Sequence, residues 1–428
     1  MWHQAWTWFR ESLTLNQWIA KSTSETVRKD GAAGLTVGVM LIPQAMAYAV
    51  IAGLPPIYGL YGALVPLLIY PIFGTSRQLA IGPQALDMLI LAAGLAAVTQ
   101  AGTGEYVAMA IIVTAMVGIL QIAMGAMQLG FVANLLSRPV ITGLTSAAAL
   151  IISFSQLGGL LGVDLGNSQY VHVVFWRALQ HLGEVHLLSL GIGATGIALL
   201  LLLPRWVPAV PEALVVVALA TAASYAFSFE GRGVAVVGAI PEGLPPITLP
   251  TLNLSTLNTL LPAAFTLALV QFMKNVSLGR VFATRHGYTI DANRELVGLG
   301  AANFVGSFFS SIPVSGSFSR SAVNDQTGAQ TPLANWFTAG VIALTLLFLT
   351  PLFYYLPLPA LAAIIIVAGI GLIDLHELRS LFKARRRDGY IALFTAACTL
   401  LIGIQEGILL GIGASLVAVL YRISRPNV

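Results

Sequence analysis

The sequence predicts an all-α polytopic membrane protein with fourteen membrane-embedded segments, on three observations. Of its 428 residues 57% are hydrophobic and only 9% are charged, against about 25% charged in an average soluble domain. The mean hydropathy of +0.85 corresponds to more apolar surface than a soluble fold of this length can hide. Twelve apolar stretches approach the roughly 20 residues that a helix needs to cross hydrocarbon, and two shorter, more polar ones each follow an extended segment bearing Gly, Pro or Ser. Soluble enzymes, nucleic-acid binders and disordered scaffolds are excluded together. The formal charge of +4 rests on few ionisable groups and implies no polyanionic partner, so no nucleic acid. The single cysteine, Cys398, lies in an apolar run and leaves neither a disulfide framework nor a cysteine metal site.

In chain order the spans of the first half are predicted at 35–51, 58–73, 107–127, 140–161, 187–203 and 214–227. Those of the second half fall at 260–282, 296–309, 336–350, 360–373, 391–404 and 408–420. The two short elements, 83–98 and 318–329, complete the fourteen. With a cytoplasmic N-terminus, Arg28, Lys29, Arg77, Arg205, Arg280, Arg285, Lys383, Arg385, Arg386, Arg387, Arg422 and Arg425 all fall on one side. The other side holds little beyond Arg177 and Arg232. Positive charge gathers on the cytoplasmic side, so both termini are expected there, in the cell (plasma or inner) membrane. The segment before Leu35 carries Trp2, Trp6, Trp8 and Trp18 without a signal-peptide pattern, and reads as an interfacial helix. The longer loops, 162–184 and 228–258, are expected outside, and the basic run 383–387 reads as a topology anchor rather than a lipid site.

The chemistry concentrates in the two broken segments. Ile81-Gly82-Pro83-Gln84 opens one short helix, and Ser315-Gly316-Ser317-Phe318-Ser319-Arg320 opens the other. Pro favours a first helical turn and supplies no donor; Ser and Gly suit the N-cap before it. Each break leaves free amides at a helix start near the bilayer midplane, where irregular backbone is tolerated only around an enclosed cavity. One half-helix runs outward and the other inward, so their starts face each other, each with about half a positive charge. Such a pocket favours an anion, and paired broken helices in two halves mark an inverted-repeat transporter. Two plain Gly/Pro kinks would leave the polar cluster 315–320 facing lipid.

At these residues the sequence resembles the SulP anion transporters, which include sulfate permeases, pendrin and prestin. The matching stretches are Gly34-Leu-Thr-Val-Gly-Val-Met-Leu-Ile-Pro-Gln-Ala-Met-Ala-Tyr48, Pro55-Pro-Ile-Tyr-Gly-Leu-Tyr61, Gly74-Thr-Ser-Arg77 and Ile81-Gly-Pro83. Asp291-Ala-Asn-Arg-Glu295, Asn303-Phe-Val-Gly-Ser307 and Gly316-Ser-Phe-Ser-Arg-Ser321 continue the likeness, from about residue 30 to 425. The resemblance implies a seven-plus-seven inverted repeat, with a core of the first four elements of each repeat moving against a gate of the last three. Its expected parts are a cytoplasmic interfacial segment at 1–30, repeats at 31–228 and 257–428, and an extracytoplasmic loop at 229–256. Carried over by position, the anion site comprises Gln44, Tyr48, Gln84, Ser319 and Arg320. Gln, Tyr and Ser offer donors and Arg a fixed charge; packing alone would equally account for Tyr48, whereas an intramembrane Arg needs a cavity or a partner.

Three departures from the family matter. Members generally continue into a cytoplasmic regulatory domain of the STAS type; the residues here end at Val428, where that linker would begin, so a membrane domain without STAS is expected. Lys274 stands where proton- or sodium-coupled relatives often have a carboxylate, and Asp87 where relatives are usually apolar or hydroxylated. The two are expected to form a buried, charge-compensating pair beside the anion; alternatively Lys274 points into the cavity, or is neutral, and Asp87 caps an amide.

Other features carry less. Glu406 reads as a turn or capping group, His181 and His186 lack a third metal ligand, and His376-Glu377 lacks the second His of a zinc-protease helix. Asn253-Leu-Ser255 is a sequon on the outer side, and the pairs Gly191/Thr195 and Gly407/Gly411 fit close helix packing. No metal, cofactor or catalytic constellation is expected, so the chain is not an enzyme. The expected function is secondary active transport of a small anion (sulfate, bicarbonate, chloride or a dicarboxylate) by alternating access, as exchange or uniport uncoupled from a cation. The alternatives are a proton- or sodium-coupled anion symporter, a nucleobase-type symporter of the same architecture and an anion-sensing motor or scaffold. The expected partners are the anion, the lipid bilayer and a second copy in a homodimer weak enough to dissociate in detergent.

Overall fold

The computed structural model describes residues 15–19, 22–96, 98–134, 138–166, 168, 170–207, 211–248 and 254–423. Trp2, Trp6 and Trp8 of the expected interfacial helix, Asn253 of the sequon, and Arg425 lie outside them. The short helix α1 (Leu15–Ile19) is followed by α2 (Ser24–Ile51), α3 (Ile57–Phe73), strand β1 (Ile81–Gly82), α4 (Ala85–Leu95) and α5 (Gly104–Ala126). Next come α6 (Arg138–Ser155), α7 (Leu157–Leu161), α8 (Val171–Gln180), α9 (Leu187–Trp206) and α10 (Glu212–Phe227). The second half holds α11 (Leu254–Arg285), α12 (Ala292–Ser307), strand β2 (Ser315–Gly316), α13 (Phe318–Gln326) and α14 (Leu333–Leu344). It closes with α15 (Leu358–Ile370), α16 (Leu375–Ala384), α17 (Arg386–Leu401) and α18 (Ile404–Ile423).

The fold is thus a polytopic helical one in which the broken segments α4 and α13 occupy corresponding places in two sevenfold halves. Among the described residues, seven helices are long and apolar enough to cross a membrane by themselves. The chain divides into two compact units: Met1–Ala133 with Ala239–Tyr354, and Asn134–Gly238 with Tyr355–Val428. The first therefore holds α2–α5 and α11–α14, the first four elements of each half; the second holds the last three of each.

In the first unit, helices meet through glycines. A Cβ at Gly59 of α3 would lie 1.9 Å from the Ala45 carbonyl oxygen of α2, and one at Gly118 of α5 would lie 2.4 Å from the Phe304 nitrogen of α12. Backbones approach this closely only where a side chain is missing. Two buried carboxylates tie the connecting segments. Glu295, in the first turn of α12, accepts from Thr75 N and Oγ1 (both 2.6 Å), Ser76 N (3.0 Å) and the Tyr70 hydroxyl (2.8 Å). Asp30 of α2 accepts from Gln330 N (2.7 Å), Thr331 N (3.2 Å) and Thr331 Oγ1 (2.5 Å). One carboxylate thus fixes the link into the first half-helix, the other the link out of the second. Trp18, from the segment expected at the interface, is buried against the protein: its indole donates to Pro71 O at 3.0 Å and its ring meets Trp336 edge-on at 5.4 Å.

In the second unit, α6 lies against α17, where a Cβ at Gly143 would be 2.2 Å from Ala392 O. Gly407 and Gly411 seat α18 on α17, their Cβ positions 2.2 Å and 2.6 Å from Thr399 and Thr395 Oγ1. The companion pair behaves otherwise. Gly191 has nothing within 4 Å, and Thr195 donates its hydroxyl to Gly191 O at 2.7 Å on an exposed face. The packing glycines of α9 are Gly193 and Gly196, against Leu160 and Ala363; a spacing of small residues does not by itself say which face of the helix is covered. The loop 162–184 contains α8, whose Val174 and Ala178 cluster with Leu165. His181 bonds to Arg177 O, while His186 bonds to Ser189 Oγ and to Arg232 O.

Gly59→Ala should cost about 1–3 kcal/mol, as overpacking against rigid backbone does, whereas Gly340→Ala, with open space around its Cβ position, should leave stability unchanged or raise it slightly. Thermal melts of the two variants in detergent, followed by size-exclusion profile, check this difference.

Candidate functional site

Pro83 lacks a donor, and Gly82 has a φ of +151° that disfavours side chains, so the chain before α4 is extended rather than helical. The chain before α13 is extended too, and the two pair antiparallel as β1 and β2, Ile81 opposite Gly316 and Gly82 opposite Ser315. Ser317 N continues the ladder to Ala80 O at 3.0 Å. Ser317 then caps α13, its hydroxyl accepting from Arg320 N at 3.4 Å, and Gln84 holds the same place before α4. The pairing therefore sets two helix starts side by side, each with backbone amides that have no acceptor within their own helix.

Arg320 joins them. It is fully buried; its Nη1 donates to Gln44 Oε1 at 3.3 Å and its Nη2 to Pro83 O at 3.2 Å. With the Gln84 carbonyl oxygen turned inward, that oxygen accepts from Arg320 Nη2 (3.2 Å), Ser317 Oγ (2.9 Å) and Ser317 N (3.3 Å). Arg320 Nε has no protein partner, and among the described residues no carboxylate oxygen lies within 4 Å of the guanidinium. Gly82 makes the approach possible, since a Cβ there would come within 3.1 Å of Nη2. A buried charge whose direct contacts are all neutral dipoles, with the already paired Asp87 carboxylate acting on it only from beyond contact, is costly, and an anion would compensate it.

Asp87, in the first turn of α4, has the opposite environment. Lys274 Nζ lies 2.9 Å from its Oδ1, while Oδ2 accepts from Gln271 Nε2 at 3.3 Å and from the Ser315 hydroxyl. Asp87 is fully buried and Lys274 is partly open. Behind them Asn303 bonds to Gln121, Gln271 and both polar groups of Val314, and Asn275 Oδ1 accepts from Gly316 N at 2.5 Å. This network holds the second extended segment in place.

The structure thus brings Gln44, Gln84 and Arg320 together by hydrogen bonds and places Tyr48, buried on α2, within electrostatic range of Arg320. Ser319 is exposed and linked only through Ser317, 3.2 Å between hydroxyls; Lys274 and Asp87 form a separate pair. Sequence reasoning missed Ser315, Ser317, Gln121, Gln271, Asn275 and Asn303 as site residues. The signal was present: Gln271, Lys274 and Asn275 recur at helical spacing in an apolar segment, and polar groups at membrane depth seldom lack a function.

A cavity of about 890 Å³ at one end of this unit is lined by Lys29, Arg77, His286, Tyr288, Arg294 and Asp325 among others. Of its basic side chains, Lys29 pairs with Glu25 (2.8 Å) and Arg294 with Asp291 (3.6 Å), and the His286 ring meets Asp325. Arg77 stacks on Tyr288 at 4.6 Å. Arg77 is exposed to solvent, whereas the Arg320 charge is fully buried.

Known proteins share this architecture. A family model described as the sulfate permease family matches residues 27–395. The chain is 38% identical over 411 residues to the chloroplastic sulfate transporter 4.1 of Arabidopsis thaliana, covering 95% of this chain and 60% of that one. It is 37% identical over 401 residues to a probable sulfate transporter of Mycobacterium tuberculosis, covering 94% and 71%. It thus spans about three-fifths of the length of the first and seven-tenths of the second. The inward-facing structure of the murine anion transporter Slc26a9 superposes with a TM-score of 0.91 at 25% identity, covering 97% of this chain and 72% of that one. By the extent of the family match and by these identities, the chain belongs to the sulfate permease family.

Proposed function

We propose that the chain is a secondary transporter of small anions that works by alternating access, as an exchanger or uniporter with no coupled cation. The observation that carries this reading is the fully buried Arg320 guanidinium, without a carboxylate partner, at two adjoining half-helix starts. An anion there would accept from the free amides and from Arg320 Nε, and the first unit would carry it as one body. Gln44, Tyr48 and Ser319, the last from the exposed side, are the further donors we assign to it, and Gln84 orients Arg320 through its oxygen. Sulfate is the first anion to test, because the two relatives above are named as sulfate transporters.

Lys274 supports the reading of uncoupled transport. A carboxylate at this place could take up a proton or sodium ion with each anion; an ammonium already paired with Asp87 cannot. The distribution of basic residues favours both termini in the cytoplasm of a cell membrane, and a weak homodimer is the assembly we expect.

Arg320→Ala should weaken anion binding ten- to a hundredfold, on the basis of about 1.5–3 kcal/mol for a charge-assisted hydrogen bond, with a smaller loss for Ser319→Ala. Labelled sulfate uptake into proteoliposomes and equilibrium binding to the purified protein measure both; parental behaviour of Arg320→Ala would move the site elsewhere. Sulfate flux through the unmodified protein should be independent of imposed proton and sodium gradients, and strong gradient-driven accumulation would refute uncoupled transport. Lys274→Ala leaves Asp87 buried and unpaired, so it should cost about 3–5 kcal/mol; the double variant with Asp87→Asn should recover much of that loss in thermal melts.

A further inference from the structure

Between the spans α15 and α17 the chain makes no simple loop. Helix α16 opens at Asp374, whose carboxylate accepts from Glu377 N at 2.8 Å, and carries apolar residues at 378, 381 and 382. Leu381 is buried, and the Phe382 ring lies on Gly389 of α17, where a Cβ would fall 2.4 Å from it. The helix is thereby seated along α17 and α6. Both its ends run directly into spans, so it lies at a membrane surface. Residues 379–387 hold five basic side chains and no acid. Arg379, Lys383, Arg385 and Arg386 are exposed, and among the described residues none of these four has a carboxylate within 4 Å.

Beside this run a groove of about 480 Å³ opens between α17 and α18, lined by Arg387, Tyr390, Ile391, Phe394 and Ala414. The first four recur at i, i+3, i+4 and i+7, hence on one face of α17. Arg387 stands at the basic end and Phe394 two turns deeper. Tyr390, 64% exposed, takes the level between charge and hydrocarbon where aromatic residues gather.

We propose that this groove holds an anionic phospholipid, its headgroup on the run 383–387 and one acyl chain along Tyr390, Phe394 and Ala414. Charge selects the occupant. Five basic residues at 379–387 outnumber the flanking acids Glu377 and Asp388, so the site carries a net positive charge that attracts a net negative headgroup more strongly than a zwitterionic one. A second copy of the chain docked here by two-fold symmetry would set the same basic run against itself.

The full chain, purified in detergent, is titrated with dioleoyl phosphatidylglycerol or dioleoyl phosphatidylcholine, and the lipid retained is counted by native mass spectrometry. Phosphatidylglycerol should be retained at least tenfold more tightly, since each surface cation contributes roughly fivefold. Replacing Lys383, Arg385 and Arg386 by Gln should abolish the preference, and Lys383→Arg with Arg385→Lys and Arg386→Lys should keep it. Removal of basic residues can disturb insertion. Ala414→Phe keeps every charge and, by filling the groove, should weaken phosphatidylglycerol retention roughly tenfold, the worth of about two buried methylenes. Equal retention of the two lipids, or undiminished retention by Ala414→Phe, overturns the proposal. A disulfide-linked dimer of Ala414→Cys in vesicles, on a Cys398→Ala background, overturns it as well by giving the groove to a second copy.

Discussion

The first unit is organised around one electrostatic problem, a permanently charged guanidinium in a buried place with no carboxylate beside it. Arg does not deprotonate to escape such a setting, so the surroundings have to supply oriented dipoles. They come from Gln44 on α2, from the Pro83 carbonyl and from Gln84 at the entrance to α4. For these to reach one guanidinium, the two breaks must lie side by side, which is what the two-residue ladder between β1 and β2 achieves. The proline that interrupts one segment, the serine that caps the other and the glycine facing Nη2 all serve the same arrangement.

The contrast with Asp87 is instructive. Its charge is answered by a lysine, a serine and a glutamine, and a wider amide network keeps those partners in position. Both Asp87 oxygens are satisfied, although the network behind them leaves Asn275 Nδ2 without a partner among the described residues; satisfied polar groups in a low-dielectric interior rigidify. Within one unit, then, one charge is closed by protein and the other is left open. That asymmetry distinguishes a charge paired within the protein from one that has no carboxylate in contact among the described residues. The glycine contacts and the carboxylate ties at Asp30 and Glu295 add the stiffness that keeps the open charge in register.

Much of this was legible in the sequence because hydrophobic length and helix-breaking residues speak locally. The fourteen elements, the two breaks and the facing helix starts follow from apolar runs and from Gly82, Pro83, Ser315 and Ser317. The closeness of Arg320 to Gln44 and Gln84 was readable only through family resemblance, since partners 276 residues apart have no local signature. The strand pairing and the partners within the amide network around Asn303 were not readable: extended backbone looks alike whether it pairs or not, and polar groups recurring on one face of an apolar helix, as Gln271, Lys274 and Asn275 do, mark a site without saying which neighbours they meet. Gly191 shows the same limit, since spacing describes a stripe and not what covers it. Trp18 shows it again, as an amphipathic residue suits an interface and a buried hydrogen bond equally.

The ladder and the ion pair also set an order of events during biogenesis. Asp87 enters the membrane 187 residues before Lys274 exists, and its serine partner follows 41 residues later still. At ordinary elongation rates of about 5–20 residues per second, the wait for the lysine is roughly 10–40 s. Through that interval the first half carries an unmatched carboxylate and an unpaired extended segment at a depth where neither is stable in lipid. The two halves are therefore not successive, self-sufficient folding units. The first must be sheltered, by the insertion machinery or by shallow residence near the headgroups, until the second arrives to complete it.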